Sequence, residues 1–296
     1  MKSTIRYLDP EVLARISRLE LKARLVVEGF ITGLHHSPYK GFSQEFTDYR
    51  PYIPGDEIKR IDWKVYARRD RFYIKEYQEE TNLRAYILLD KSGSMGYGNR
   101  ITKLEYAKFL SACLAYLLFK QRDGVGLITF DTGINDFIPP SLKRVNFTRI
   151  METIDKTSSG NETSLSRVLF EVGQKIKRRG LVILISDLFD APDLVLKSLK
   201  SFKARKHEMI VFQTLDPDEI SFPFVEGAIF QDMETEDKIV IEPKVIKNIY
   251  LKKFNEFVNQ YQKGLLGSKI DYQLINTSEN FERALLYYLQ KRARLF

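Results

Sequence analysis

The sequence predicts an α/β fold, that is, a mostly parallel β-sheet with helices on both faces. From residue 84 onward, short buried apolar runs alternate with longer segments of helical periodicity, and this alternation is typical of a parallel sheet. The chain has 296 residues, of which 44% are apolar, so it is long enough to bury a core in one large domain and to add an appendage.

Residues 1–83 have a different pattern and predict an N-terminal appendage made of one helix, short strands and loops. The predicted helix covers residues 9–30, where Asp9 and Pro10 form a capped start and apolar side chains recur at helical spacing. The remainder is polar and aromatic, with turn sequences between short alternating pieces. Trp63, between Ile61 and Val65, is interpreted as a core residue that packs this appendage against the sheet.

Residues 84–296 predict the α/β domain itself. Its strands are expected at residues 84–90, 124–131, 134–138, 180–187, 207–216 and 269–277. Its helices are expected at residues 104–122, 147–155, 163–179, 190–202 (capped by Asp190), 245–262 and 278–296. Residues 227–242 alternate as in a β-hairpin, with a turn at 234–237, and predict an insertion into the domain.

The net charge of +8 raises the possibility of nucleic-acid binding. Part of the surplus lies in residues 243–296, which hold 10 Lys and Arg against 4 Asp and Glu. Because no recognisable nucleic-acid module accompanies these residues, the basic helices are interpreted as a solvated face. Nucleic-acid binding through these C-terminal helices is kept as an alternative.

The sequence contains one cysteine, so an intramolecular disulfide is excluded. Cys113 lies in a strongly apolar helical segment and is interpreted as a buried spacer. The N-terminus is too charged for a signal peptide, and no apolar run approaches the roughly 18 residues that a membrane span needs. The sequence therefore predicts a cytoplasmic protein without a membrane span.

Three of the predicted parallel strands end in an aspartate, namely Asp90, Asp131 and Asp187. In an open α/β sheet, ligands bind outside the carboxyl ends of the strands, so this edge is the candidate functional region. Asp90 is followed by Ser92 and Ser94 within the glycine-rich stretch LLDKSGSMGYG. Asp131 lacks such a cluster and is interpreted as a turn residue or an outer residue of the site.

Three kinds of site could explain this stretch. A phosphate cradle would need a Gly-Lys-Ser/Thr sequence, which is missing here. An acidic nucleophile would have Asp90 at the right place, since enzymes that form an aspartyl-phosphate use an aspartate at a strand end. Aspartate-based phosphatases generally have a second acid two residues later, where this chain has Ser92. A magnesium-dependent phosphohydrolase that uses Asp90 is therefore kept as an alternative.

A metal site fits best. Asp90, Ser92 and Ser94 offer one carboxylate and two hydroxyl groups on a tight loop, and hard oxygen ligands of this kind suit Mg²⁺. Thr163, before a predicted helix, and Asp187, at the end of a predicted strand, are well placed to add ligands.

These five positions resemble the metal-ion-dependent adhesion site (MIDAS) of von Willebrand factor A domains in order and spacing. The resemblance covers about residues 84–215 and implies a von Willebrand factor A-like fold, which is similar to the Rossmann fold. It implies that Asp90, Ser92, Ser94 and Thr163 bind Mg²⁺, with Mn²⁺ or Ca²⁺ as substitutes, and that Asp187 acts directly or through water. A partner protein would supply an Asp or Glu carboxylate to the remaining coordination position.

The upstream segment resembles the R-x-Y-x-P-G-D-x-x-x-x-I-D-W-x-x-x-A-R motif of bacterial DUF58 proteins. The matching positions are Arg50, Tyr52, Pro54, Gly55, Asp56, Ile61, Asp62, Trp63, Ala67 and Arg68. The charged ones, Arg50, Asp56, Asp62 and Arg68, are interpreted as a structural ion network or a partner surface. The resemblance implies an adaptor or assembly factor that works with an AAA+ ATPase of the MoxR type. Because no Ser/His/Asp set is present, the chain is expected not to be an enzyme.

Overall fold

The structure is a computed structural model that describes residues 19–35, 49–52, 63, 66, 71–75, 83–160, 164–224, 228–231 and 238–292. The chain divides into two compact units, one comprising Met1–Ile31 and Leu83–Phe296 and the other comprising Thr32–Asn82. The first helix, which the sequence analysis grouped with the appendage, therefore falls largely in the unit that contains the main sheet.

The strands are β1 (Tyr49–Pro51), β2 (Tyr73–Lys75), β3 (Arg84–Asp90), β4 (Gly124–Phe130), β5 (Ile134–Ser141), β6 (Leu181–Ser186), β7 (Glu208–Leu215), β8 (Ala228–Gln231), β9 (Lys238–Ile241) and β10 (Asp271–Asn276). The helices are α1 (Leu19–His35), α2 (Lys103–Lys120), α3 (Arg144–Lys156), α4 (Leu165–Lys175), α5 (Pro192–Ala204), α6 (Pro217–Ser221), α7 (Pro243–Gly267) and α8 (Glu282–Arg292), and Gly93–Gly96 forms a 3₁₀ turn. The short helix α6 was not predicted from the sequence.

The main sheet has six strands in the order β10-β7-β6-β3-β4-β5. Five of them are parallel, and β5 at one edge pairs antiparallel with β4. Strands β4 and β5 thus lie on one side of β3, and β6, β7 and β10 lie on the other side. This arrangement confirms the predicted von Willebrand factor A-like α/β fold.

Helices cover both faces of the sheet because its central strands are apolar on both sides. Strands β4 and β6 are buried along their whole length. On one face, the core combines alternate strand residues, such as Leu88 and Leu184, with residues of α4, α5 and α7. On the other face, α2 contacts β3, β4, β6 and β7, and α3 and α8 lie against α2.

The second unit contains the antiparallel pair of β1 and β2. The rings of Tyr66 and Phe72 stack at 4.4 Å between centroids, and Trp63 meets both rings edge-on. Trp63 is 56% exposed, so its interpretation as a core residue was wrong. Its described ring contacts are with Tyr66 and Phe72.

The predicted hairpin is present as the antiparallel pair of β8 and β9. Among the described residues, no helix combines the length and the apolar composition that a membrane crossing requires.

Cys113 is fully buried in α2, as the sequence indicated. Burial raises the pKa of its thiol to about 12, so the reactive thiolate is scarce at neutral pH. We expect the native protein to leave Ellman's reagent unreduced for hours, whereas the urea-unfolded protein reacts with one equivalent at once. Rapid stoichiometric reaction of the native protein would contradict this packing of α2.

Candidate metal site at the carboxyl edge of the sheet

The candidate site lies where β3 and β6 end side by side. Strand β6 pairs in parallel with β3, with Leu89 opposite Ile185, so Asp90 and the residues after β6 meet at one edge. Because the strand order reverses direction between β3 and β6, the connections that leave these two strands diverge and open a crevice. The sheet topology therefore brings Asp90 and Asp187 together, as the sequence analysis expected.

The loop after β3 gathers three oxygen-bearing side chains. The backbone N–H of Ser92 donates to Asp90 Oδ1 at 2.9 Å, which folds the loop back over the carboxylate. The Oγ atoms of Ser92 and Ser94 are 3.2 Å apart. Asp90 and Ser92 are buried, while Ser94 is partly exposed. The predicted Asp90, Ser92 and Ser94 thus lie close together on one loop, and Ser94 is the most exposed of the three.

Ser186, the last residue of β6, fixes the other side of Asp90. Its hydroxyl donates to Asp90 Oδ2 at 2.6 Å and accepts from the backbone N–H of Leu188 at 2.9 Å. Leu188 has a φ of 62°, a left-handed conformation that is unfavourable for a leucine. The sequence analysis missed Ser186, because a serine in an apolar strand gives no sign that it faces a carboxylate on the next strand.

The carboxyl group of Asp90 is buried. Burial and, next, the neighbouring Asp187 carboxylate raise the pKa of Asp90 to about 7, against the opposing effect of hydrogen bonds from Ser186 and Ser92. Two carboxylates that are close together in a buried site disfavour each other's charge. A cation bound beside Asp90 would remove that penalty.

The carboxylate of Asp187 is held by a buried lysine. Lys103 Nζ donates to Asp187 Oδ2 at 2.7 Å and to Glu219 Oε1 at 2.6 Å. Asp187 Oδ1 accepts from the backbone N–H of Phe189 at 3.2 Å. Both oxygens of Asp187 thus accept a hydrogen bond within the protein. Its predicted role at a metal, directly or through water, stays a prediction.

Sequence reasoning missed both Lys103 and Glu219. Burial by itself lowers the pKa of the Lys103 ammonium group, but Asp187 and Glu219 outweigh it and hold the pKa above its ordinary value. Burial raises the pKa of Glu219, and Lys103 opposes that effect only in part. One signal was available, since a lysine in the first turn of a helix is disfavoured by the helix dipole unless it has an anionic partner. The partners could not be identified because they lie 84 and 116 residues away.

Two further side chains support the loop after β6. Gln213 on β7 donates from Nε2 to the carbonyl oxygen of Asp187 at 3.0 Å and accepts from the Tyr272 hydroxyl at 2.6 Å. The hydroxyl of Tyr261 on α7 lies 3.0 Å from Leu188 O and 3.2 Å from Asp190 O. The position of Asp187 is thus fixed by β7, β10 and α7 together.

Thr163 lies outside the described residues, and so do Asp56, Asp62 and Arg68. Arg50 is described only by its backbone, which lies in β1. The segment that leads to Thr163 does reach the site, because the backbone N–H of Gly160 donates to Lys91 O at 2.6 Å. A Cβ at Gly160 would meet the carboxylate of Asp131, so a larger residue here would require the Asp131 side chain to shift.

Two other acids at this edge have local roles. Asp131 is 3.4 Å from Lys91 Nζ, which places it beside the loop as an ion-pair partner. Asp190 does not cap the helix that follows it, since α5 has Ala191 at its N-cap. Its carboxylate instead accepts from the backbone N–H of Ser166 in the first turn of α4. The predicted cap was wrong because Asp190 serves a neighbouring helix.

Among the described residues, no three His, Cys, Asp or Glu side chains converge as a metal site. A metal bound at this edge would therefore depend on the serine hydroxyls as well as on Asp90.

We expect Ser186→Ala to lower the free energy of unfolding by about 2 kcal/mol, because it removes the hydrogen bond to a buried carboxylate. Denaturation in urea measures this change. Ser111→Ala is the matched control, since the buried Ser111 hydroxyl has no hydrogen-bond partner in the described structure. Its removal should be neutral or stabilising. Equal losses in the two variants would show that the contact between Ser186 and Asp90 contributes nothing.

The comparisons with known proteins agree with this description. The sequence profile of the family described as "Protein of unknown function DUF58" matches residues 48–257. The chain is 26% identical over 231 residues to the uncharacterized protein Rv1480 of Mycobacterium tuberculosis, which covers 77% of this chain and 72% of that protein.

Among solved structures, the conserved hypothetical protein BatB from Bacteroides thetaiotaomicron is similar to this chain, with a TM-score of 0.48 and 17% identity. The match covers 71% of this chain and 98% of BatB. The SpRpn10 VWA domain is similar with a TM-score of 0.39 and 15% identity, and the match covers 69% of this chain and 94% of that domain. The profile match spans most of the chain, and on that basis this protein belongs to the DUF58 family.

Proposed function

We propose that this DUF58 protein is a metal-dependent protein-interaction module. In this proposal, Asp90, Ser92 and Ser94 hold Mg²⁺ together with Thr163, and a partner protein contributes a carboxylate. The observation that supports it most is the convergence of the three loop oxygens at the reversal point of the sheet, where α/β folds place their ligands.

The chemistry of these side chains fits the ion. Mg²⁺ binds oxygen ligands at about 2.1 Å in octahedral geometry, so two adjacent ligands lie about 3 Å apart. The serine hydroxyl oxygens are separated by 3.2 Å, close to that spacing. Asp90 supplies one negative charge, and its buried position favours a cation as a partner.

The chain's own residues orient the ligands and shield them from water. Ser186 and the Ser92 backbone hold the Asp90 carboxylate in one orientation from two sides. When bound, Mg²⁺ supplies a positive centre with an open coordination position that a carboxylate can occupy. Since Ser94 is partly exposed, the side from which a partner could approach is the Ser94 side of the loop.

The kind of partner protein is also proposed. The family resemblance implies an AAA+ ATPase of the MoxR type, with this chain as adaptor or assembly factor. No catalytic activity is proposed for this protein. Its proposed location is the cytoplasm.

The geometry gives less support to a phosphohydrolase. Asp90 Oδ1 and Oδ2 each accept a hydrogen bond, from Ser92 N–H and from Ser186 Oγ. Each oxygen keeps a lone pair that could bind a metal ion, but Ser92 stands where aspartate-based phosphatases generally have a second acid.

We expect a purified MoxR-type ATPase from the same organism to be retained by the immobilised protein in Mg²⁺ and released by EDTA. Asp90→Ala and Ser92→Ala should each reduce retention at least tenfold, a change of about 1.4 kcal/mol. Asp193→Asn is the matched control, because Asp193 is an exposed carboxylate on α5 whose side chain accepts a hydrogen bond from Gln260. Its retention should equal that of the wild type.

Retention that survives EDTA and both variants would contradict the metal-dependent contact. Retention that collapses with added salt but is indifferent to Asp90→Ala would instead favour a charge-driven contact of the basic C-terminal helices.

A further inference from the structure

Lys103 is a lysine with a fully buried side chain at the start of α2, beside the candidate metal site. Its Nζ atom touches two carboxylates, Asp187 and Glu219, and lies 4.5 Å from the centre of the Phe189 ring. Its side chain has 0% exposure, and that of Asp187 has 1%. The ammonium group is thus enclosed by two anions and an aromatic face.

A buried ion pair of this kind constrains what else its members can bind. Removing one partner of a buried pair leaves an uncompensated charge and is strongly destabilising. A metal ion that binds Asp187 Oδ2 would therefore weaken the contact of that oxygen with Lys103, because the two cations repel each other. Lys103 and a divalent cation compete for the same carboxylate.

The charge of Glu219 affects the strength of the ion pair between Lys103 and Asp187. It lies on α6, and its second oxygen accepts from the backbone N–H of Asp216 at 2.8 Å, which fixes the side chain in place. Lys103 shares its charge between Glu219 and Asp187. A loss of charge at Glu219 would leave the full ammonium charge to Asp187.

We propose that Lys103 is a positioning residue that keeps Asp187 away from the metal, so that, among the described residues of this DUF58 chain, Asp90 is the one carboxylate that binds the ion directly. This inference rests on the metal site proposed above and adds to it a determinant of metal affinity. A metal that is neutralised by one protein carboxylate keeps positive charge for an incoming carboxylate. Lys103 thus lowers the affinity of the site for the metal, and the bound metal attracts the carboxylate of the partner more strongly.

The experiment measures the affinity of the full chain for Mn²⁺ alone by calorimetry or electron paramagnetic resonance. Lys103→Met keeps the length of the side chain and its contact with Phe189 but removes the charge. We expect it to tighten Mn²⁺ binding about tenfold, within the usual range of couplings between two binding events. A residue with a merely structural role would weaken binding on substitution.

Glu219→Gln tests the same idea in the opposite direction. It should weaken Mn²⁺ binding about fivefold, because Lys103 then acts on Asp187 alone. Asp218→Asn is the matched control, since it removes a neighbouring acid that accepts from Asn99 rather than from Lys103. At about 0.15 M salt, screening should hold its affinity within about twofold of the wild type.

The result that overturns the proposal is an unchanged or weakened affinity in Lys103→Met. If that variant does not fold, an affinity of Glu219→Gln equal to that of Asp218→Asn overturns it. Asp90→Ala distinguishes a failure of the proposed metal site from a failure of the proposed role of Lys103. If Mn²⁺ binds Asp90→Ala as tightly as it binds the wild type, the proposed metal site is wrong, and the proposed role of Lys103 is then wrong too. If Asp90→Ala alone changes binding, only the role of Lys103 is wrong.

Discussion

The carboxylates of Asp90, Asp187 and Glu219 lie at the carboxyl edge of the sheet, and the surrounding structure stabilises them in positions that are largely shielded from water. Asp187 and Glu219 share Lys103, while Asp90 depends on hydrogen bonds from Ser92 and Ser186. An unpaired buried charge costs several kcal/mol, which is a large part of the stability of a typical domain. In the proposed metal site, a cation bound beside Asp90 would offset part of this cost.

The strand order of the sheet brings Asp90 and Asp187 together. Because β3 and β6 are neighbours whose following loops diverge, residues 97 positions apart in the chain share one crevice. The loop after β6 then depends on distant elements, since Tyr261 of α7 and Gln213 of β7 hold it from two sides. The left-handed Leu188 within this loop is maintained by those contacts. The site is thus a property of the whole sheet.

The sequence predicted the strands and the Asp90, Ser92 and Ser94 cluster because both are local. Apolar runs identify buried strands, and a strand-end aspartate followed by two serines identifies a loop whose oxygens can converge. Ser186, Lys103 and Glu219 could not be found in this way, because their roles arise from pairing across strands and helices. The short helix α6, which carries Glu219, was also missed for lack of a periodic pattern. Thr163 remains a prediction, and the charged network of Arg50, Asp56, Asp62 and Arg68 does so too.

The central claim is that Asp90, Ser92 and Ser94 bind a divalent cation while Lys103 retains Asp187. The most direct test is a crystal structure grown in Mn²⁺, with anomalous diffraction used to locate the metal. The account predicts an anomalous peak bonded to the side chains of Asp90, Ser92 and Ser94, with Lys103 Nζ still in contact with Asp187. A fully ordered loop without a peak at saturating Mn²⁺, or a peak bonded directly to Asp187 with Lys103 displaced, would contradict it.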